Sequence, residues 1–480
     1  MCGVLGIVGP EPVSRELAFG LTALQHRGQD AAGIVTLDDR FYMKKEAGLV
    51  SGVFPRDEDA DKLRGRIGIG HVRYATQGTN DVFDAQPFAV QYPFGLAMAH
   101  NGNVTNFARL RDSLNREHHR LIQTSNDVEL ILYTLAAQLE ARDLATLTPN
   151  DIFESVSAIQ SRVEGAYAVV TIIAGHGLLA FRDRNGIRPL AFGRRETGRG
   201  VSHAFASESA AFDYLGFELL RELAPGEAVL VDMKGNVQAR HAPESSRTFC
   251  AFELVYFARE DSVIDGTLVA SARVLVGKKL GQKMKRMGLS PDIVIDVPSA
   301  AYFAASGLAE ELGAPYRRGL TRSAHIGRSF IAPTQVERER LVRQKVNPIR
   351  NVVEGKKVAV VDDSIVRGTT SKRIVALLRQ AGAREIYFVS AAPPVRHRCP
   401  YGIDMATRQE IIASGRSEEE VRTLIGADAL VYQTLADFRE VYDGIAGCYA
   451  CFSGEYPTPM PEEALSLVEA ERLERRGARG

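Results

Sequence analysis

The chain has no excess of either charge: 59 Lys and Arg balance 59 Asp and Glu across 480 residues. Without a basic surplus there is no electrostatic case for a nucleic-acid partner. No apolar run approaches the ~18 residues that a membrane span needs. The start lacks the basic stretch and apolar core of a secretory signal. The expected compartment is therefore the cytoplasm, with no membrane partner. Cysteine is scarce: only Cys2, Cys250, Cys399, Cys448 and Cys451 occur. A reducing compartment argues against disulfides, and an odd number cannot pair completely. Repeats and low-complexity tracts are missing too. What remains is 45% hydrophobic and 25% charged, the balance of a globular protein. The length exceeds one ordinary core, which predicts two large domains.

The two halves differ in texture. Residues 1–240 carry many short apolar runs between Gly- and Asn-rich turns, such as 165–174 and 177–181. That pattern predicts strands, with helices at 13–25 and 128–139. Residues 241–247, with Pro243, Ser245 and Ser246, read as a linker. Beyond it the chain alternates. Residues 292–297 are mostly apolar, as expected of a strand buried on both faces. A helix follows at 302–312 and closes at Gly313. A Val-rich run at 357–361 leads into an acidic loop, then a helix closed by Gly382, then a strand at 386–390. This order predicts a doubly wound parallel sheet, whose ligands sit at the carboxyl ends of its strands. The expected domains are 2–240 and 250–460, with a helical tail at 461–480.

At one such strand end stands Asp362-Asp363-Ser364-Ile365-Val366-Arg367-Gly368-Thr369-Thr370-Ser371. Gly368 permits close backbone approach, and the hydroxyls and amides that follow open a helix, a natural anion site. Two adjacent carboxylates can hold sugar hydroxyls and a magnesium ion. No Gly-Lys-Ser/Thr follows, so this is not a nucleotide P-loop. The combination suits a sugar phosphate.

At the other end of the chain Cys2 follows Met1. Removal of the methionine is expected, and it would place the thiol beside a free α-amine. An α-amine has a pKa of about 7.7–8.0 and can act as a base near neutral pH. The alternative is a buried cysteine opening the apolar strand of Val4, Leu5, Ile7 and Val8. His26, His71 and His100 have no second ligand three or four residues on, so hydrogen bonding is favoured over a metal role. Cys448-Tyr449-Ala450-Cys451 alone fits a redox pair or half a zinc site.

Several strings together carry a resemblance. Cys2-Gly3, Gln25-His26-Arg27-Gly28-Gln29-Asp30, Gly70-His71-Val72-Arg73-Tyr74, His100-Asn101-Gly102-Asn103 and Ser125-Asn126-Asp127 resemble the class II glutamine amidotransferases. The 360–370 run resembles the phosphoribosyl pyrophosphate signature of type I phosphoribosyltransferases. Phe249-Cys250-Ala251-Phe252-Glu253, Arg398-Cys399-Pro400-Tyr401-Gly402 and the run from Cys448 to Pro457 resemble the iron–sulfur subgroup of the amidophosphoribosyltransferase family. The resemblance covers nearly the whole chain. It takes in Asn185-Gly186-Ile187-Arg188-Pro189-Leu190 and Ala206-Ser207-Glu208.

That resemblance implies an α/β protein: an N-terminal-nucleophile hydrolase α/β/β/α sandwich, then a type I phosphoribosyltransferase parallel-sheet domain. It implies Cys2 as nucleophile and Asn101 and Gly102 as oxyanion donors. Arg73, Asp127 and Gly28 would bind glutamine. Asp362 and Asp363 would hold the ribose diol and Mg²⁺. Ser364, Arg367, Gly368, Thr369, Thr370 and Ser371, with Arg328 from a closing loop, would bind phosphoribosyl pyrophosphate. Cys250, Cys399, Cys448 and Cys451 would hold a 4Fe–4S cluster in a structural role, tying a loop of about 200 residues. Zinc is the chemical alternative for four thiolates. Purine nucleotides as feedback inhibitors and a homotetramer are further expectations.

Three departures stand against this pattern. The subgroup usually has a short propeptide before the nucleophile, whereas here only Met1 precedes it. Pro298 is followed by Ser299 and Ala300 where the family has an acid and a hydroxyl. The acceptor loop reads Arg322-Ser323-Ala324-His325 in place of Lys-Asn-Arg-Tyr, although Gly327-Arg328-Ser329-Phe330 is kept. Competing readings are another class II amidotransferase, such as a glucosamine phosphate synthase, and a nucleotide-sensing regulator without turnover. The 360–370 run counts against the first; the departures are the only support for the second.

Overall fold

The computed structural model describes residues 1–74, 82–243, 245–298, 301–322, 346–403, 407–442, 446–460 and 462–477. Two antiparallel sheets stack face to face in the first half. One has seven strands, in the order Glu218–Glu222, Ala191–Thr197, Gly200–Ala206, Gly3–Val8, Ile67–Arg73, Ala31–Leu37 and Phe41–Ala47. The other has six: Val237–His241, Glu227–Val231, Gly177–Arg182, Gly165–Ile173, Leu96–Val104 and Phe88–Val90. Period-two alternation assigns each side chain to a layer. In Gly165–Ile173, Ala168, Val170 and Ile172 face the opposing sheet, against Val4, Ile67 and Ile69. Tyr167, Val169 and Ile173 face the other way, under the helices Asp127–Glu140 and Pro149–Arg162. Leu5 and Ile7 likewise face the helix Ser14–Ala23. The layers therefore run α/β/β/α. Strands buried on both faces must be apolar throughout, which is why the sequence reads as runs there.

The helix expected at 13–25 ends at Ala23 and is followed by one tight turn, Gln25–Arg27. That turn carries the Arg27 guanidinium inward to the Cys2 carbonyl. The linker expected from 241 begins one residue later, because His241 closes the edge strand Val237–His241. The connecting segment is tied down as well. Ser246, Thr248 and Cys250 donate their amides to Arg184, Asn185 and Ile187 carbonyls at 3.0, 2.8 and 3.1 Å.

In the second half four parallel strands run in the order Ile293–Asp296, Lys357–Asp362, Glu385–Ser390 and Ala429–Tyr432. Val294, Ala359, Tyr387 and Ala429 are in register across it. Helices Val269–Arg286 and Tyr302–Leu312 cover one face, and Thr369–Gln380 and Glu418–Ile425 the other. The carboxyl edge is thus lined by Asp296, Asp362, Ser390 and Tyr432. A helix, Glu462–Gly477, closes the described chain. No helix among the described residues is long and apolar enough to cross a membrane.

Val269–Arg286 and Tyr302–Leu312 meet through glycines. A β-carbon on Gly277 would stand 2.0 Å from the Ala304 carbonyl oxygen, and one on Gly307 would stand 2.1 Å from that of Val274. Gly277→Val should therefore force the helices apart and cost about 1–3 kcal/mol, the usual penalty of overpacking. Urea denaturation checks this; an unchanged midpoint would mean that the helices are not in backbone contact.

Candidate active site

Cys2 stands at the head of the central strand of the seven-stranded sheet. Asn101 and Gly102 lie in Leu96–Val104 of the facing sheet. Stacking the sheets brings them together: the Cys2 amide donates to Asn101 Oδ1 at 3.2 Å, and the thiol contacts the Tyr74 carbonyl at 3.5 Å. Asn101 Nδ2 is buried with no partner among the described residues. A buried amide donor without an acceptor is costly unless something supplies one. An oxyanion developing at a carbonyl attacked by Cys2 is such an acceptor. A β-carbon on Gly102 would collide with the Ala166 carbonyl oxygen at 1.9 Å, so only glycine fits there.

The proposed glutamine ligands form one buried network beside it. Asp127, at the start of Asp127–Glu140, accepts from the Val104 amide at 2.8 Å and lies 3.1 Å from His100 Nε2. Burial alone would raise its pKa; the His100 charge and the His100 and Val104 donors outweigh that and hold it below the usual carboxylate range. The Gln86 side-chain amide lies 3.0 Å from His100 Nδ1, and His100 Nε2 is turned to Asp127. Arg73 ends its strand 3.7 Å from Asp84, a long pair that a substrate carboxylate would have to join or displace. Gly28 is wedged against that strand, since a β-carbon there would stand 2.4 Å from the Arg73 carbonyl carbon.

Hydrogen bonding holds for His26, which pairs with Glu208 at 2.8 Å, and for His100. His71 is different. It is fully buried, and neither ring nitrogen has a hydrogen-bond partner of good geometry among the described residues. Burial, then the charges of His100 and Arg73, push its pKa well down, so it is neutral.

The second constellation lies at the carboxyl edge of the parallel sheet. Asp362 and Asp363 are joined by the Asp363 amide donating to Asp362 Oδ1 at 3.0 Å, and the Ser364 hydroxyl donates to Asp363 at 2.7 Å. Burial and then the like charge of Asp363 push Asp362 well above the carboxylate range. Burial pushes Asp363 up to about 6, against the pull of the Ser364 hydroxyl and the buried Arg273 guanidinium. Gly368 takes a left-handed turn at φ +74° and starts Thr369–Gln380, and no side chain caps that helix. Thr369 and Thr370 are exposed and Ser371 is buried. Arg367 lies 3.5 Å from Glu410, so it must exchange that partner to meet a phosphate. Arg328, Ser299, Ala300 and residues 323–325 lie outside the described residues.

The four remaining cysteines form no disulfide, are buried and are drawn together. Cys250 and Cys448 stand opposite each other in the short parallel pair Phe249–Cys250 and Gly447–Cys448. The Cys451 carbonyl accepts the Arg396 and His397 amides at 2.9 and 3.0 Å, which docks the Cys399 segment beside it. Burial pushes the Cys250 thiol up to about 11. At Cys448 and Cys451 burial acts first and the neighbouring cysteines add to it. As thiolates these groups repel, which is what a cationic metal core would relieve. Among the described residues no three acidic, His or Cys groups converge as a single metal ion would need.

Sequence reasoning passed over the ions between these sites: Arg27, Arg188, Glu208 and Glu253 are all buried. One signal was available, a glutamate inside the otherwise apolar run 249–257.

The chain is similar to known proteins over nearly its whole length. Residues 71–214 match the family described as glutamine amidotransferase domain. The chain is 46% identical to the amidophosphoribosyltransferase of Pseudomonas aeruginosa over 98% of its own length and 96% of that protein. It is 46% identical to that of Escherichia coli, over 91% of this chain and 88% of the relative. The solved glutamine phosphoribosylpyrophosphate amidotransferase from B. subtilis, complexed with ADP and GMP, superposes with a TM-score of 0.86. It is 38% identical and covers 96% of this chain and 98% of that one.

The strained acid pair has a stability consequence. Burial pushes Asp363 up to about 6 in the folded chain, above its unfolded value of roughly 3.9, so folding favours its protonated form. The stability it adds is complete below the unfolded value and is lost as pH rises through the folded one. Asp363→Asn should therefore raise the thermal midpoint of the ligand-free protein near pH 7.5 and leave it close to the parent at about pH 4. Melts at both pH values decide; a lowered midpoint near neutrality would mean that the carboxylate is stabilising.

Proposed function

The chain belongs to the amidophosphoribosyltransferase family, and on that premise we propose how its residues divide the work. It is a glutamine amidotransferase and pentosyltransferase of purine biosynthesis. It releases ammonia from glutamine and transfers it to phosphoribosyl pyrophosphate, giving 5-phosphoribosylamine, pyrophosphate and glutamate.

With Met1 removed, the Cys2 α-amine takes the thiol proton and the sulfur attacks the glutamine carboxamide. Asn101 Nδ2 and the Gly102 amide receive the oxyanion. Collapse expels ammonia and leaves a thioester, which water cleaves to glutamate. Arg73 and Asp127 hold the carboxylate and ammonium of the substrate, with Gly28 beside them. The unpartnered Asn101 Nδ2 next to Cys2 is the observation that carries this half of the reading.

Ammonia then attacks C1 of the ribose and pyrophosphate leaves. Asp362 and Asp363 take the ribose diol and Mg²⁺; bound there, the ion would offset charge on the departing pyrophosphate. Ser364, Arg367 and residues 368–371 take the 5-phosphate, at a helix start that no protein side chain caps. Arg328 belongs to the loop expected to close over this site. Purine nucleotides offer the same ribose and phosphate chemistry and are proposed as feedback ligands, and the assembly as a homotetramer in the cytoplasm.

Cys250, Cys399, Cys448 and Cys451 are proposed to hold a 4Fe–4S cluster. In such a cluster each cysteine ligates its own iron, so the four sulfurs need not converge on one point. Zinc would require that convergence.

Two outcomes test these assignments. Cys2→Ala should abolish glutamine-dependent synthesis and keep ammonia-dependent synthesis, because the acceptor site stands on another sheet. Glutamine use at the parental rate would remove Cys2 from the mechanism. Protein purified without oxygen should be brown with about four irons per chain. Stoichiometric zinc without iron would overturn the cluster.

A further inference from the structure

The mechanism above leaves a chain of buried charge unused. Arg27, Arg188 and Glu253 each have 0% exposure. Arg27 Nε donates to the Cys2 carbonyl at 2.9 Å, and Arg27 Nη2 donates to Glu253 Oε1 at 2.8 Å. Arg188 Nη1 donates to the same oxygen at 3.3 Å, and Arg188 Nε donates to the Tyr401 carbonyl at 2.9 Å. Glu253 Oε2 has no partner among the described residues. One carboxylate oxygen therefore serves two guanidinium groups. It sits three residues after Cys250, while Tyr401 sits two after Cys399.

The position of the nucleophile depends on this more than that of an interior residue would. Once Met1 is gone, Cys2 is held by the backbone on one side only. Its main-chain anchors are then the nitrogen, held by Asn101 Oδ1, and the carbonyl, which Arg27 fixes. A guanidinium gives a directed, charge-assisted hydrogen bond, but a buried one keeps its place only while its counter-ions keep theirs. Glu208 is one counter-ion of Arg27, from the first half. Glu253 is the other, from the second.

We propose that Glu253 is a positioning residue for the glutamine half-reaction: held by Arg188, it keeps Arg27 on the Cys2 carbonyl and so aims the thiol. This rests on the reading of Cys2 as nucleophile. It makes the order of the cysteine-bearing segments part of the geometry of the first site, although no cysteine of that set touches glutamine.

The test is Glu253→Gln in the full chain, which keeps shape and removes charge. Glutamine-dependent kcat should fall roughly ten- to a hundredfold, as misplacement of a reacting group does. KM for glutamine and ammonia-dependent synthesis should change by less than about threefold, a small effect on the kcal scale. Alkylation of Cys2 by iodoacetamide, followed by peptide mass spectrometry across pH, should slow in step. Glu253→Asp should restore part of the rate. If Glu253→Gln does not fold, Arg188→Lys should give the same selective loss with the fold retained. Parental glutaminase and Cys2 alkylation in a folded variant would overturn the proposal. So would an equal fall of glutamine- and ammonia-dependent synthesis. Failure of the underlying reading is separate: it would appear as glutamine use by Cys2→Ala.

Discussion

Arg27, Arg188 and Glu253 have left water entirely; Glu208 of the first half pairs Arg27, but the anion that Arg27 and Arg188 share lies in the second half. The first half supplies the two cations; the second supplies the shared anion. A buried charge without its partner costs several kcal/mol, so the two halves are bound to meet in one register. Cys2 and the Cys399 segment inherit that register. The Cys2 carbonyl is fixed from below by Arg27, and Arg188 fixes the segment that carries Cys399.

The acceptor edge uses the opposite arrangement. Asp362 and Asp363 are adjacent and alike in charge, the first buried and the second half-buried, and the Arg273 guanidinium pulls against the rise at Asp363. Left alone, such a pair resists ionisation. The magnesium ion and ribose diol proposed for this edge would offset that repulsion. The first site follows the same logic at Asn101, whose Nδ2 waits for an acceptor that the fold omits.

Much of this was legible in sequence, for physical reasons. Strands buried on both faces have to be apolar throughout, so 165–174 and 357–361 announced themselves, and glycine closed helices at Gly313 and Gly382. The Asp-Asp pair could be read because a strand end followed by Gly368 and hydroxyls has few other uses. The ion chain was not legible. Arg27 and Glu253 are 226 positions apart, and their pairing depends on how two halves dock. The surroundings of His71 were not legible for a related reason. Local context suggested hydrogen bonding, but whether a ring nitrogen finds a partner is decided by neighbouring strands, here Gly3–Val8 and Ala31–Leu37.

The same docking explains why cysteines remote from glutamine belong with the first site. The Asn103 side-chain amide donates to the Pro400 carbonyl at 2.7 Å, one residue past Cys399. A β-carbon on Gly402 would come within 2.9 Å of the Gly102 carbonyl oxygen. The strand that presents Asn101 and Gly102 therefore rests, backbone against backbone, on the segment that Cys399 anchors. Strands this close transmit displacement, because a packed interior has no room to absorb it. Holding four cysteines together thus does more than shorten the freedom of a long loop. It would set the floor beneath the strand that carries Asn101 and Gly102, opposite the tether on Cys2 proposed for Glu253.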